Sequence, residues 1–244
     1  IVIIGGGFGG AYCAQVLEKY AEKIGAKILL IDKRNYFVFY PLLTEAGTGS
    51  LEPRHTVVGI RDFLRKTRFL MAEVTEVDAE RQVISARVPN TDIEHRINYD
   101  QLVIGVGSVT KMPNIPGLHD YGFELKSIGD SVALRDRGLQ MLEIASSINV
   151  PEKRKELLHF IVVGANYTGV ELAGEFQAFL NSAAKKAYKH LDRREIKVTL
   201  IEMMERILPV LDESLADFAT NQLQDRGVDI RTEMTVKEIH HDHV

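Results

Sequence analysis

The chain has 244 residues, 45% of them hydrophobic and 26% charged, with a formal net charge of −4. That length accommodates two domains, each able to bury a core, and the composition is that of a globular protein. The slightly acidic balance gives no reason to expect nucleic acid as a partner, and no apolar run is long enough to span a bilayer.

The chain opens on Ile1-Val2-Ile3-Ile4 and runs directly into Gly5-Gly6-Gly7-Phe8-Gly9-Gly10. A buried strand, a glycine-rich turn and a helix follow one another here, and the next apolar run, Lys27 to Ile31, ends on Asp32. That order is the context of a dinucleotide site. Gly5 permits the tight turn, Gly7 leaves room for a pyrophosphate, and Gly10 lets the helix pack close to the strand. Phe8 and Gly9 lie in the same turn and are counted with the binding residues. The positive end of the helix suits phosphate, and Asp32 suits the ribose hydroxyls. The single cysteine, Cys13, falls on this helix and reads as a packing residue. With no partner for a disulfide, it favours a reducing compartment.

From Lys33 to Pro53 aromatics, prolines and glycines are too dense for a regular helix or strand. This segment is expected to be a packed loop lining a flavin slot, with Lys33, Arg34, Pro41 and Thr48 among the cofactor contacts. For Arg34 a surface salt bridge is the alternative. Residues 69–78 alternate as one strand, Gln82 begins another, and 99–104 form a buried strand leading into Gly105-Val106-Gly107. Gly107 joins the expected cofactor contacts. Lys111-Met112-Pro113-Asn114-Ile115-Pro116-Gly117 reads as a linker, giving domains at 1–110 and 111–244. Gly129-Asp130-Ser131 is the expected cap of a helix through Leu134, Leu139 and Leu142, interrupted by Gly138.

The opening pattern then returns. Phe160 to Gly164 reads as a buried strand, followed by the turn Ala165-Asn166-Tyr167-Thr168-Gly169, and a helix is expected from near Val170 toward His190. The strand Ile196 to Ile201 ends on Glu202. Two such units imply an α/β fold with two Rossmann-like domains and two dinucleotides. Asn166 stands at the middle glycine position, where its tolerance of left-handed backbone would preserve the turn. A unit that packs but binds nothing is the alternative. Glu202 favours NADH over NADPH by repelling a 2′-phosphate, and Arg206 is expected to soften that preference. The basic residues from Lys185 to Arg194 read as a solvated helix end, and the closing histidines as a chain end.

Several stretches resemble the two-dinucleotide-domain flavoproteins, and within them the type II NADH dehydrogenases. They are Ile3 to Gly10, Arg34-Asn35-Tyr36 through Pro41-Leu42-Leu43 to Thr48-Gly49, Tyr99-Asp100, and Thr168-Gly169-Val170-Glu171-Leu172-Ala173-Gly174-Glu175. The resemblance runs over nearly the whole chain. It implies FAD in the first unit and NADH in the second, contacted at Gly164, Asn166, Tyr167, Thr168, Gly169 and Glu202. NADH then gives a hydride to the flavin, which reduces a quinone without proton pumping. It also implies that Glu171 lies near the reacting rings as the catalytic residue. The alternative for Glu171 is a first-turn acid complementing the helix dipole, and the sequence does not choose.

The pattern is departed from at Asn166, at Gly105-Val106-Gly107 in place of Ala-Thr-Gly, and at Gly138, where glycine costs a helix about 1 kcal/mol relative to alanine. The family's later Gly-Asp and its amphipathic C-terminal segment lie outside these residues, so a longer protein is expected. By the resemblance it is cytoplasmic and peripheral on the inner face of the cell membrane. Its partners are then NADH, a quinone, the membrane surface and, in a homodimer, a second copy. A disulfide reductase or sulfide:quinone oxidoreductase would need more than Cys13. The remaining alternatives are a soluble flavin-dependent NADH reductase with another acceptor, and a catalytically silent nucleotide-binding or redox-sensing protein.

Overall fold

The computed structural model describes residues 1–244. In chain order the strands are β1 Val2–Ile4, β2 Leu29–Asp32, β3 Tyr36–Val38, β4 Val57–Gly59, β5 Arg68–Met71 and β6 Glu73–Asp78. They continue with β7 Val83–Arg87, β8 Glu94–Asn98, β9 Leu102–Ile104, β10 His159–Val163, β11 Lys197–Ile201 and β12 Val228–Arg231. The helices are α1 Phe8–Glu18, α2 Leu43–Gly47, α3 Ile60–Phe63, α4 Leu118–Tyr121, α5 Ile128–Ser146, α6 Pro151–Leu157, α7 Tyr167–Ala187 and α8 Glu213–Asp225. They form two compact units, Ile1–Phe39 with Arg54–Lys111, and Tyr40–Pro53 with Met112–Val244.

The first unit is built on a parallel sheet in the order β5-β2-β1-β9. Its short strands are apolar on both faces because both are covered. Ile3, Leu30 and Phe69 meet Ala14 of α1 on one side, with Cys13 partly buried against them. Val2, Ile4 and Ile31 meet Ile84 and Ala86 of β7 on the other. The run expected as one strand over 69–78 is two. β5 pairs parallel with β2, the chain turns at the buried Ala72, and β6 joins the antiparallel sheet β6-β7-β8. Alternation cannot reveal this switch, because both sheets demand the same period.

In the second unit β10, β11 and β12 form a parallel sheet in that order. Ala173, Phe176, Leu180 and Ala184 recur along α7 at helical spacing and bury against Val198, Leu200 and Val228. Gln177, also buried, is satisfied by accepting from Val198 N at 3.1 Å. α7 begins at Tyr167, three residues before the expected start, because Asn166 is its N-cap. The cap of α5 is likewise earlier than expected. Ser127 Oγ accepts from Asp130 N at 3.2 Å while Asp130 Oδ2 accepts from Ser127 N at 2.7 Å, a reciprocal capping box.

The expectation that residues 33–53 lack regular structure is corrected. β3 pairs antiparallel with β4, and Leu43–Gly47 is helical. Leu43 and Ala46 are buried, and Leu43 O accepts from Ser131 Oγ of α5 at 3.0 Å, so residues 40–53 pack within the second unit. Burial and this long-range bond hold a helix of five residues that is too short to form alone.

Gly138 also has a packing reason. A Cβ there would lie 3.0 Å from Phe176 Cζ, 3.2 Å from Phe179 Cε1 and 3.3 Å from Leu180 Cδ2. Alanine gains about 1 kcal/mol of helix propensity, whereas forcing apart a packed helix pair costs about 1–3 kcal/mol. Gly138→Ala is therefore expected to lower stability by about 1 kcal/mol, read as a drop in thermal midpoint. A raised midpoint would show that the two rings can yield.

Candidate functional site

In the first unit the turn after β1 is closed by three backbone approaches. Gly5 has φ +97°, and a Cβ on it would strike Gly105 O. A Cβ on Gly10 would strike Gly5 O, and one on Gly105 would lie 3.0 Å from Gly10 N. The Gly105 departure thus sits where added side chain would crowd the turn. Gly7 differs. It has ordinary extended backbone at φ −79°, ψ −163°, and a Cβ there would meet no protein atom within 4 Å. That room, at the N-terminus of α1, is open to a phosphate.

Asp32, at the end of β2, accepts from Gly6 N at 2.6 Å through Oδ2 and from Arg34 N at 2.7 Å through Oδ1. The acid therefore holds the turn, and a carboxylate accepting two bonds keeps lone pairs for ribose hydroxyls. Phe8 packs edge-on to Phe37 at 4.9 Å, and the Arg34 guanidinium lies 5.9 Å from the Tyr36 ring centre. Lys33 and Gly9 are exposed, and Gly107 has φ +71° with open space around it.

The second unit repeats this geometry. Gly164 has φ +93°, and a Cβ on Gly169 would strike Gly164 O. Glu202, buried at the end of β11, accepts from Ala165 N at 2.6 Å and Met204 N at 2.9 Å. Asn166 is not left-handed. Its φ −82° and ψ −175° nearly coincide with those of Gly7, and the unusual backbone is carried by Gly164. Tyr167 and Thr168 are exposed at the start of α7. Arg206 donates through Nη2 to Pro209 O at 3.2 Å and Leu211 O at 3.0 Å in its own loop, while its Nη1 is buried without a hydrogen-bond partner. It braces the loop that returns through the Leu208 N to Ala165 O bond at 2.8 Å.

Glu171, one turn into α7, lines a cavity of about 110 Å³ with Thr168, Tyr40, Pro41 and Lys126. Thr48 lines a second, of about 460 Å³, with Ser50, Glu175 and Phe179. Pro41 and Thr48 fall with the second compact unit. Burial, followed by the charge of Glu45, pushes the Glu171 carboxyl above its ordinary value of 4.5. Glu45 Oε2 is itself buried without a hydrogen-bond partner. Nothing in the spacing of Glu45 and Glu171 reveals this pairing, which depends on α2 joining α7.

A raised carboxyl stabilises the fold in its protonated form. That contribution is complete below the unfolded value and is lost as pH rises through the folded one. Glu171→Gln mimics the protonated form, so the difference in thermal midpoint, variant minus wild type, should grow as pH rises from 4 to 7. A difference constant across that range would remove the electrostatic account of Glu171.

The model of the family described as "Pyridine nucleotide-disulphide oxidoreductase" matches residues 1–244. A probable mitochondrial NADH-ubiquinone oxidoreductase of Schizosaccharomyces pombe is 34% identical over 98% of this chain and 44% of its own. The type II NADH:quinone oxidoreductase Ndh of Mycobacterium tuberculosis is 32% identical over 98% of this chain and 51% of its own. Among solved structures, NDH2 from Plasmodium falciparum in complex with NADH superposes with a TM-score of 0.88 at 32% identity. That match covers 98% of this chain and 48% of that one. The chain spans about half the length of these relatives.

Proposed function

Because this chain belongs to the pyridine nucleotide-disulphide oxidoreductase family, we propose that its whole protein is an FAD-dependent NADH:quinone oxidoreductase that does not pump protons. The observation that carries this reading is the duplicated turn. Each unit sets a positive-φ glycine, an extended residue, a glycine that admits no Cβ and an acid bonded to the turn's second N–H in the same places. Two such cradles suit two dinucleotides. The names of the relatives, NADH-ubiquinone and NADH:quinone oxidoreductases, supply the identity of the reaction.

The first domain, 1–110 without the segment 40–53, would hold FAD, and the room beside Gly7 fits its pyrophosphate. Gly5, Gly10 and Gly105 shape the turn, the N-terminus of α1 would receive the phosphates, and Asp32 would hold the ribose. When bound, FAD supplies hydride acceptance from NADH and electron transfer to a quinone. The second domain, 111–244 together with the segment 40–53 packed on it, would hold NADH through the turn at Gly164 and through Glu202. Glu171, beside Thr168 and Pro41, would keep a proton to higher pH than an ordinary carboxyl. The protein's contribution is alignment and exclusion of water.

A peripheral position on the inner face of the membrane and a homodimer complete the proposal. They rest on the resemblance and on the lipid solubility of quinones. No helix of the chain is long and apolar enough to cross a membrane. Liposome co-sedimentation and light scattering of the whole protein test these two points.

The central test is an anaerobic titration of the whole protein with NADH. Bleaching of visible flavin absorbance, and its recovery on adding a soluble quinone, is the expected result. A yellow protein that NADH cannot bleach would favour a silent or sensing role. Bleaching without recovery by any quinone would favour a soluble reductase with another acceptor.

A further inference from the structure

We infer that Asn166 binds the pyrophosphate of NADH with its own side chain, capping α7 with one end of its carboxamide and donating to a phosphate oxygen with the other. The inference deepens, and rests on, the reading of the second unit as the NADH site. The backbone match between Asn166 and Gly7 shows that neither position needs glycine for conformation. What glycine leaves there is room, and at Gly7 no protein atom within 4 Å would meet a Cβ. Asn166, with nearly the same dihedral angles, directs its Cβ from its turn as a Cβ on Gly7 would be directed, and it is exposed.

The polarity of that side chain is set by what it touches. Tyr167 N is a donor, so the atom that meets it at 3.0 Å is the acceptor Oδ1. The carboxamide nitrogen is therefore the free end, a neutral donor of two hydrogens at the positive end of a helix of 21 residues. Asn166 thus takes one backbone N–H from the phosphate and offers Nδ2 in exchange. The N–H groups of Thr168 and Gly169 remain without helical acceptors. A pyrophosphate approaching this turn meets an amide where a glycine would have let it meet backbone.

Asn166→Asp tests whether the side-chain end lies at the phosphate, because aspartate has the same shape and is an equally good N-cap, and Asn166→Gly tests the donor without added charge. The aspartate puts an anionic oxygen where the donor stood. Titration calorimetry of the flavin-loaded whole protein with ADP-ribose, which carries the pyrophosphate, and with adenosine, which does not, reads the effect without turnover. Asn166→Asp is expected to weaken ADP-ribose by about ten-fold or more and to leave adenosine within about two-fold. Asn166→Gly, which restores the room but removes the donor, is expected to weaken ADP-ribose by about three-fold. Equal losses for the two ligands, no loss for either, or ADP-ribose binding by the glycine variant as tight as wild type or tighter would each overturn the inference. Wild-type protein that binds neither ligand would overturn the reading of the unit itself, and the inference with it.

Discussion

Gly7→Val in the whole protein is expected to yield a folded but colourless enzyme, with flavin occupancy reduced by more than about ten-fold. The first half of that statement comes from inside the protein. Gly7 has extended backbone that valine adopts freely, and a Cβ there meets nothing. The variant therefore loses only the difference between a glycine and a valine N-cap, about 1 kcal/mol. The second half comes from the ligand. The branched side chain fills the space at the N-terminus of α1 that a pyrophosphate must enter, and it shields the N–H groups that would bind it.

The contrast with Gly10 makes the experiment decisive. A Cβ at Gly10 strikes the Gly5 carbonyl, so Gly10→Ala disturbs the turn itself and its colour says nothing about the ligand. Visible absorbance per protein and the thermal midpoint of the flavin-free form are the two readouts. A Gly7→Val protein with normal colour and a normal midpoint would withdraw the first turn from the flavin.

These distinctions mark what the sequence can and cannot disclose. The two βαβ units were legible because each of their features is local. A buried apolar run, a glycine at a fixed offset and an acid at the end of the next strand all follow from backbone geometry. The reason for Asn166 was not legible. A sequence names the residue that differs but not which position of the turn carries the positive φ, and here that is Gly164. The segment 40–53 was misread for a related reason. Its helix is held by burial of Leu43 and Ala46 and by Ser131, which lies 88 residues from Leu43. No local propensity records such a contact. α8 and β12 carry a local signal in the spacing of Ala216, Ala219 and Leu223 and in the stop at Gly227.

Glu202→Ala tests whether the acids serve the turn, the ribose or both, and it should act on two independent readouts. Glu202 is buried and accepts from Ala165 N at 2.6 Å, so its removal strands a buried donor. The cost is about 1–3 kcal/mol of stability in the second unit. If its remaining lone pairs also hold the ribose hydroxyls of NADH, their loss raises the NADH dissociation constant by about ten-fold or more. The same change removes the negative charge that opposes a 2′-phosphate, so NADPH should weaken far less and discrimination between the two should fall by a similar factor. A general loss of folded protein would lower binding of NADH and NADPH alike, whereas loss of a ribose contact changes their ratio. A lowered thermal midpoint with an unchanged ratio would leave Glu202 as a brace for the turn alone. A changed ratio would make the acid at the end of β11 both the support of the phosphate turn and the reader of the nucleotide bound there.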